Sequence, residues 1–340
     1  MGKDIDGGKR TVTMEDVAVR AGVSKASAST VLHGSRGNTR VAEPTRQRIL
    51  AAARDLNYSP NGVAQALRRR KMNVIGLYLG DWVINTHDMF LAEIVGGLQA
   101  GCHEHRKDLL LHGTFRGQST DDIYAELING KIDGLVMFVQ GNDSLANRLA
   151  DASVPVVAVA DALPKLPSVV VDDHAGSRMI AEYLAGKGHR KVLYCRKAQI
   201  TQTSVERRFQ AFSETAVALG MTVIECPSSP SSNVSDVARD WLRRSPAERP
   251  TAVVGCTDWV AYAVMDFCRS IGLRVPDDVA VVGFDGITPP MMTPLRLTTI
   301  RAPWMEVART AVGLVVEGVA NRDPSQEIVL PVEFLQGDTA

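Results

Sequence analysis

TMEDVAVRAGVSKASASTVL, residues 13–32, reads as two short helices joined by a tight turn, and the rest of the chain is organised around it. The signal is residue size at fixed offsets. Ala18 is small enough to let two helices cross closely, and Gly22 supplies the positive φ that turns the chain. Val17, Ala21, Val23, Ala28 and Val31 form the apolar seam between the helices. Both helices carry start signals. Thr13 and Asp16 have the capping-box spacing, with Asp in place of the usual Glu or Gln, and Ser24 can accept a bond from a free N–H of the second helix. That second helix turns Lys25, Ala26, Ser27, Ser29 and Thr30 outward. Such a short, polar, nearly acid-free face suits a groove lined with phosphates. Two amphipathic helices of an ordinary α-helical domain would show the same apolar spacing, so the reading needs support from elsewhere.

The charge distribution supplies some. Net charge is zero over 340 residues, with 38 basic and 38 acidic side chains, but it is unevenly placed. Residues 1–71 hold 14 Lys+Arg against 6 Asp+Glu, a surplus of eight; the remainder holds 24 against 32, a deficit of eight. A basic front and an acidic remainder fit a polyanion partner for the front alone. The length calls for two or three domains, and 45% hydrophobic with 22% charged residues is a globular composition. The five cysteines, Cys102, Cys195, Cys226, Cys256 and Cys268, have no paired spacing, so neither a disulfide framework nor a zinc site is expected. No apolar leader or run near the ~20 residues of a membrane span is present, which predicts a cytoplasmic chain with no membrane partner. Residues 1–10 are expected to form a disordered lead.

Beyond the opening unit, His33 to Arg40 is a Gly/Ser/Asn loop carrying Arg36 and Arg40. Pro44 then starts a third helix over roughly 45–57, with Ile49, Leu50, Ala53 and Leu56 inward, closing a headpiece over 11–58. Residues 59–72 follow as a hinge: Pro60 restarts the chain, Val63, Ala64 and Leu67 make one short stripe, and Arg68 to Lys71 are four consecutive cations. A helix this short is marginal in water by itself.

At this point DVAVRAGVS and YSPNGVAQAL together resemble the headpiece and hinge of the lactose/galactose repressor (LacI/GalR) family of bacterial transcription regulators. The resemblance implies that Lys25, Ala26 and Thr30 read bases, that Ser24, Ser27 and Ser29 touch phosphate, and that the hinge enters the minor groove with Leu67 as an intercalating wedge. Asn61, Ala64 and Arg68 are the other DNA contacts it implies on the hinge. Three departures stand out: Thr30 where many members have arginine, a longer loop at 36–40, and Gly62 inside the hinge helix, which adds about 1 kcal/mol to the cost of ordering it.

From Asn73 the pattern changes to short β-branched runs alternating with amphipathic helices. Strands are expected at 74–79, 109–112, 134–139, 156–160, 169–172, 192–195, 222–226, 252–256 and 279–284, which predicts two doubly wound parallel α/β units. VVVDDHAGSRMIAEYLAGKGHRKV, the RRFQAF turn, TDWVAYAVMDFCRSIGLRVPDDVAVVGFDG and PLRLTTIRAP extend the resemblance over nearly the whole chain. It implies the two-lobed fold shared with periplasmic sugar-binding proteins, over 73–340. The first lobe is expected at about 73–161 plus 300–322, and the second at about 162–297 plus 323–340.

In open α/β sheets ligands bind beyond the carboxyl ends of the strands. The side chains expected there are Trp82, Asp161, Arg196, Asp258, Trp259 and Asp285, with Arg208 opening the helix after another strand. Carboxylates and a guanidinium suit hydroxyl-rich or anionic small molecules, and a Trp can stack on a sugar's apolar face. The resemblance assigns effector contacts to Arg208, Thr257-Asp258 and Asp285; helix capping is the competing role for both aspartates. PSSPSSNVS lacks an aromatic that several relatives supply, so the ligand class does not carry over. No G-x-S-x-G, P-loop or G-x-G-x-x-G is present, and Cys102-His103-Glu104-His105 lies on a helix where i and i+2 diverge, so no catalytic site, metal or cofactor is expected. The expected function is a ligand-responsive regulator, in the sense of a repressor, that binds a pseudo-palindromic double-stranded operator as a homodimer, with a sugar-like effector. VEFLQGDTA lacks the heptads of a tetramerising zipper. The rival reading is a sugar-binding or sugar-modifying protein whose N-terminal helices serve assembly.

Overall fold

The computed structural model describes residues 12–33, 41–80, 82, 88–113, 118–138, 144–197, 202–228, 234–287, 295–318 and 326–340. The expected lead at 1–10 and the basic loop at 36–40 lie outside these residues, as do the side chains of Val63, Leu67 and Arg68. The chain divides into two units, Met1–Met72 and Asn73–Ala340.

In the first unit, α1 (Met14–Ala21), α2 (Lys25–His33) and α3 (Glu43–Asp55) enclose a small core of Val17, Ala18, Ala21, Ala28, Val31, Ile49, Ala52 and Ala53. Thr13 and Asp16 form the reciprocal capping box of α1, and Gly22 ends that helix at φ +66°, a conformation a Cβ disfavours. The third helix runs two residues earlier at each end than the spacing predicts, because Pro44 sits in its first turn rather than before it. The hinge is α4 (Gly62–Arg69), and its buried small residue is Ala66; Ala64, expected in the apolar stripe, is exposed.

The second unit is built on two parallel sheets. The first runs in the order β11 (Glu327–Leu330), β5 (Ser168–Val171), β4 (Val156–Val159), β3 (Gly134–Met137), β1 (Val74–Tyr78), β2 (Asp108–Leu111). The second runs β7 (Thr222–Ser228), β6 (Lys191–Lys197), β8 (Ala252–Gly255), β9 (Ala280–Val282). β3, β4, β5 and β8 are buried along their whole length, as strands covered by helices on both faces must be. A short antiparallel pair, β10 (Thr299–Arg301) with β12 (Glu333–Leu335), has no counterpart among the expected strands; it extends the second sheet's edge through bridges Val282–Thr298 and Asp285–Arg301.

The division between lobes differs from the expectation. β5 and β11, expected in the second lobe, are in the first sheet, while β10, expected in the first, bridges to the second. β5 stays because it is staggered against β4, pairing Ser168 with Ala158, and residues 160–167 suffice to bring the chain back. The Ser168 hydroxyl braces that loop by accepting from Leu163 N at 3.1 Å and donating to Leu166 O at 3.0 Å.

The helices that matter for the cleft are α5 (Met89–Glu104), α8 (Asp173–Gly186), α9 (Thr203–Ala218), α11 (Asp258–Ser270) and α12 (Trp304–Glu317). α12 returns the chain to the first sheet and packs tightly on α5; a Cβ at Gly97 would lie 2.1 Å from Met305 O. RRFQAF, expected to be a turn, lies inside α9, so Arg208 sits in the helix's second turn rather than opening it. The five cysteines are free and buried, and among the described residues no cluster could hold a metal ion and no helix is long and apolar enough to cross a membrane.

Candidate functional site

Two surfaces are candidates for functional chemistry. On the headpiece, α2 leaves Lys25 and Ala26 exposed and Ser27, Ser29 and Thr30 half-buried. Several of these polar groups are already engaged. Ser24 Oγ accepts from Ser27 N at 3.2 Å, the two hydroxyls share a 3.0 Å bond, and Thr30 Oγ1 donates to Ala26 O at 2.9 Å. Lys25 Nζ donates to Glu15 Oε2 at 2.7 Å, and that bond holds its ammonium above the ordinary lysine pKa. On the hinge, the Asn61 side-chain oxygen accepts from Ala64 N at 3.1 Å, so Asn61 caps α4. Arg69, Arg70 and Lys71 are exposed at its end.

The second surface is a cleft in the α/β unit, open to solvent. Of the seven side chains expected there, Trp82, Arg208, Trp259 and Asp285 line it. Trp82 follows β1 of the first sheet and Trp259 lies in the first turn of α11 beside the second, and both indoles are half exposed, at 45% and 40%. Sequence reasoning missed Asp88, Phe90, Phe138, Gln202, Ser204 and Trp304, and Thr257 was reached only through the resemblance. Phe138 stacks against Trp82 at 5.0 Å between ring centroids and against Phe90 at 5.4 Å, and Phe90 meets Trp304 edge-on at 5.0 Å. Phe138 was within reach, since it lies one residue before the end of the strand expected at 134–139; Trp304 gave no such sign, because the strand before it was unforeseen.

The other three expected residues are elsewhere. Arg196 is turned away from the cleft: Glu225 Oε1 accepts from its Nε at 2.6 Å, Glu206 Oε2 from its Nη1 at 3.1 Å, and its guanidinium lies over Phe209. Asp258 is a brace. Its Oδ2 accepts from Ile287 N and its Oδ1 from Thr299 Oγ1, both at 2.6 Å, so it ties α11 to the β9–β10 connection; burial pushes its carboxyl up to about 6. Asp161 is also behind the wall. Its Oδ1 accepts from Thr203 Oγ1 and from Ser204 N at 3.0 Å, which makes it the anchor of α9, while its Oδ2 is buried with no partner among the described residues. Burial raises its pKa.

At the cleft floor Arg208 is held between two carboxyl groups. Arg208, 3% exposed, donates through Nε to Asp173 Oδ1 at 2.7 Å and through Nη1 to Asp285 Oδ1 at 3.1 Å and Cys256 O at 3.0 Å. Its guanidinium carbon lies 3.7 Å from the Phe284 ring centroid. Burial works against the Arg208 charge, but the two carboxylates outweigh it and the pKa ends above its usual value. Burial raises Asp285 to about 8 against the pull of Arg208.

Comparison with known proteins finds relatives for both units of the chain. The family profile described as bacterial regulatory proteins, lacI family, matches residues 13–61, and that of the periplasmic binding protein-like domain matches 181–340. The chain is 28% identical over 331 residues to the HTH-type transcriptional repressor PurR of Photobacterium profundum, covering 93% of this chain and 94% of that one. PurR of Haemophilus influenzae (strain PittEE) is also 28% identical, over 92% of each chain. Among solved structures, a transcriptional regulator CelR–cellobiose complex matches with TM-score 0.68 and 26% identity, over 97% of this chain and 100% of that one. The lac repressor dimer bound to operator and the anti-inducer ONPF matches in fold with TM-score 0.79 at 22% identity, over 97% and 99%.

Proposed function

We propose that the chain is a member of the lacI family of bacterial regulatory proteins, with Lys25–His33 as its operator-reading helix and the cleft beside Arg208 as the seat of its effector. It is a ligand-responsive, sequence-specific DNA-binding transcription regulator that acts as a dimer on a pseudo-palindromic duplex. Repressors among the relatives support a repressing role, and they support a cytoplasmic, non-enzymatic protein. Lys25, Ala26 and Thr30 face base edges, Ser24, Ser27 and Ser29 the adjacent phosphates, and Leu67 the central minor-groove step, with Asn61, Ala64 and Arg68 beside it. The observation that carries the reading is the α2 face: polar, cationic and exposed at its first residue, and preceded by a turn whose Gly22 sets the angle between the helices.

The effector is assigned to the carbohydrate class. What supports this is two half-exposed indoles on one cleft and the cellobiose complex among the similar structures. Among the described residues, the links that join the lobes include Asp161 to the start of α9 and a bidentate pair from Arg207 to Glu327 Oε1 and Oε2 at 2.6 and 3.1 Å. A ligand with different affinity for the open and closed lobes shifts these links, and operator affinity with them.

Selection of duplexes from a random pool by the full chain tests the reading. A dyad-related pair of half-sites is the expected product, and enrichment of no sequence would sink the assignment. On the selected duplex, Leu67→Ala is expected to bind about ten- to a hundredfold more weakly with ligand affinity unchanged, because the wedge loses most of its apolar contact. Glu15→Gln is expected to act in the opposite direction. It removes an anion and releases Lys25, raising affinity roughly two- to fivefold at low salt. An unchanged titration curve would show that Lys25 does not approach the duplex.

A further inference from the structure

The chain enters the α/β unit at a residue that is fastened from several sides. Arg70, which follows α4, stands in the left-handed region at φ +53°, and so does Asn73 at φ +59°, with Lys71 and Met72 between them. Asparagine is one of the few residues besides glycine that enter that region readily. At Asn73 the backbone N–H donates to Asp133 Oδ2 at 2.8 Å, and the carbonyl accepts from Asp108 N at 2.8 Å. Its side-chain Oδ1 accepts from Lys107 Nζ at 3.3 Å, and the same ammonium donates to Asp133 Oδ2 at 3.0 Å.

These groups come from three segments. Asn73 precedes β1, Lys107 lies in the turn from α5 to β2, and Asp133 directly precedes β3. They gather the amino ends of three neighbouring strands, whereas the cleft residues Trp82, Phe138 and Ala160 follow the carboxyl ends of β1, β3 and β4. The Lys107 and Asp133 side chains are 13% and 18% exposed, against 57% and 52% for Lys131 and Glu126 close by in the chain. A shielded, hydrogen-bonded pair of this kind holds a geometry that an exposed pair does not. The ladders of β1 begin at Val74 and Ile75, so the strands are already joined without it. What the extra bonds fix is the residue upstream, where the hinge segment ends.

We infer that Asn73, Lys107 and Asp133 are positioning residues for operator binding, which fix the root of the hinge so that each headpiece of a dimer has less freedom to lose on the duplex. The inference rests on the reading of the chain as a dimeric operator binder. Engagement of the second half-site depends on the effective concentration of the second headpiece, which falls when its tether loosens. Ordering a freed backbone residue then draws on the binding energy.

The test is the affinity of the full chain for its selected duplex, in the parent, Lys107→Met and Asp133→Ala, each with and without two glycines inserted between Met72 and Asn73. Both substitutions are expected to weaken binding about five- to thirtyfold, with the α/β unit still folded in thermal melts. Charge alone would give opposite signs, since one removes a cation and the other an anion. In the glycine-extended chain the root is already loose, so neither substitution should add a loss. Equal losses in both backgrounds, opposite signs for the two substitutions, or unchanged affinity in the parent background each overturn the inference and leave the operator reading standing. If Asp133→Ala does not fold, Lys107→Met, which keeps its apolar stem, decides through the comparison of backgrounds. A parent chain that selects no duplex brings down the operator reading and the inference with it.

Discussion

Arg208→Leu is expected to cost about 3–5 kcal/mol of folding stability, lowering the melting temperature of the α/β unit by on the order of 10 °C and abolishing ligand response. The substitution removes the one positive charge shared by Asp173 and Asp285 and leaves both carboxyls buried. An unpaired buried charge is worse than no pair at all, so the loss exceeds what the two hydrogen bonds contribute. The pH dependence gives the sign. In the parent chain burial already raises both carboxyls, Asp285 to about 8, so the folded state holds protons that the unfolded chain releases near pH 4. Their contribution to stability is therefore complete at low pH and is lost as pH rises through the folded-state value. Without Arg208 they rise further, so the gap between parent and variant should widen in thermal melts as pH passes about 8, where Asp285 of the parent releases its proton and that of the variant does not. A gap that is constant with pH would mean that Arg208 acts through packing on Phe284 rather than through its charge. Arg208→Lys should recover only part of the loss, because an ammonium cannot span Asp173, Asp285 and the Cys256 carbonyl from one planar fork.

Operator affinity is expected to fall by on the order of a thousandfold or more between about 50 and 200 mM salt, with a steep linear slope of log affinity on log salt. The cause is counterion release by the cations of two headpieces and hinges: residues 1–71 carry a surplus of eight positive charges, and Arg69, Arg70 and Lys71 stand exposed where α4 ends. The acidic α/β unit adds nothing to this slope. Replacing Arg69, Arg70 and Lys71 by alanine should flatten it by about two to three per chain while leaving the preferred duplex unchanged, since phosphate contacts position and base contacts specify. A shallow slope in the parent chain would return the N-terminal helices to an assembly role.

Nine strands of the α/β unit were legible because buried parallel strands are runs of Val, Ile and Leu between helices, and such runs survive reading in one dimension. β10, β11 and β12 were not. They are three or four residues long, their exposed edges alternate with polar side chains, and they exist because a partner strand is present. The same distinction runs through the cleft. Trp82, Trp259, Arg208 and Asp285 were found by a general rule about strand ends, while Trp304 and Phe90 enter from helices that approach from elsewhere in the chain. Asp161, Asp258 and Arg196 satisfied the rule and still point away, because each has a nearer partner: the start of α9, the β9–β10 connection, and Glu206 with Glu225.

What the sequence determined alone was therefore local and periodic: the capped two-helix unit around Gly22, the basic hinge, and the alternation that makes two parallel sheets. These depend on residues a few positions apart, where backbone geometry translates spacing directly into contact. What only the tertiary structure decided was which charges neutralise which, and where the chain crosses between lobes. Arg208, Asp173 and Asp285 come from three separate segments, and the lobe boundary follows from the stagger of β5 on β4, so both are set by which surfaces bury together rather than by any order along the chain.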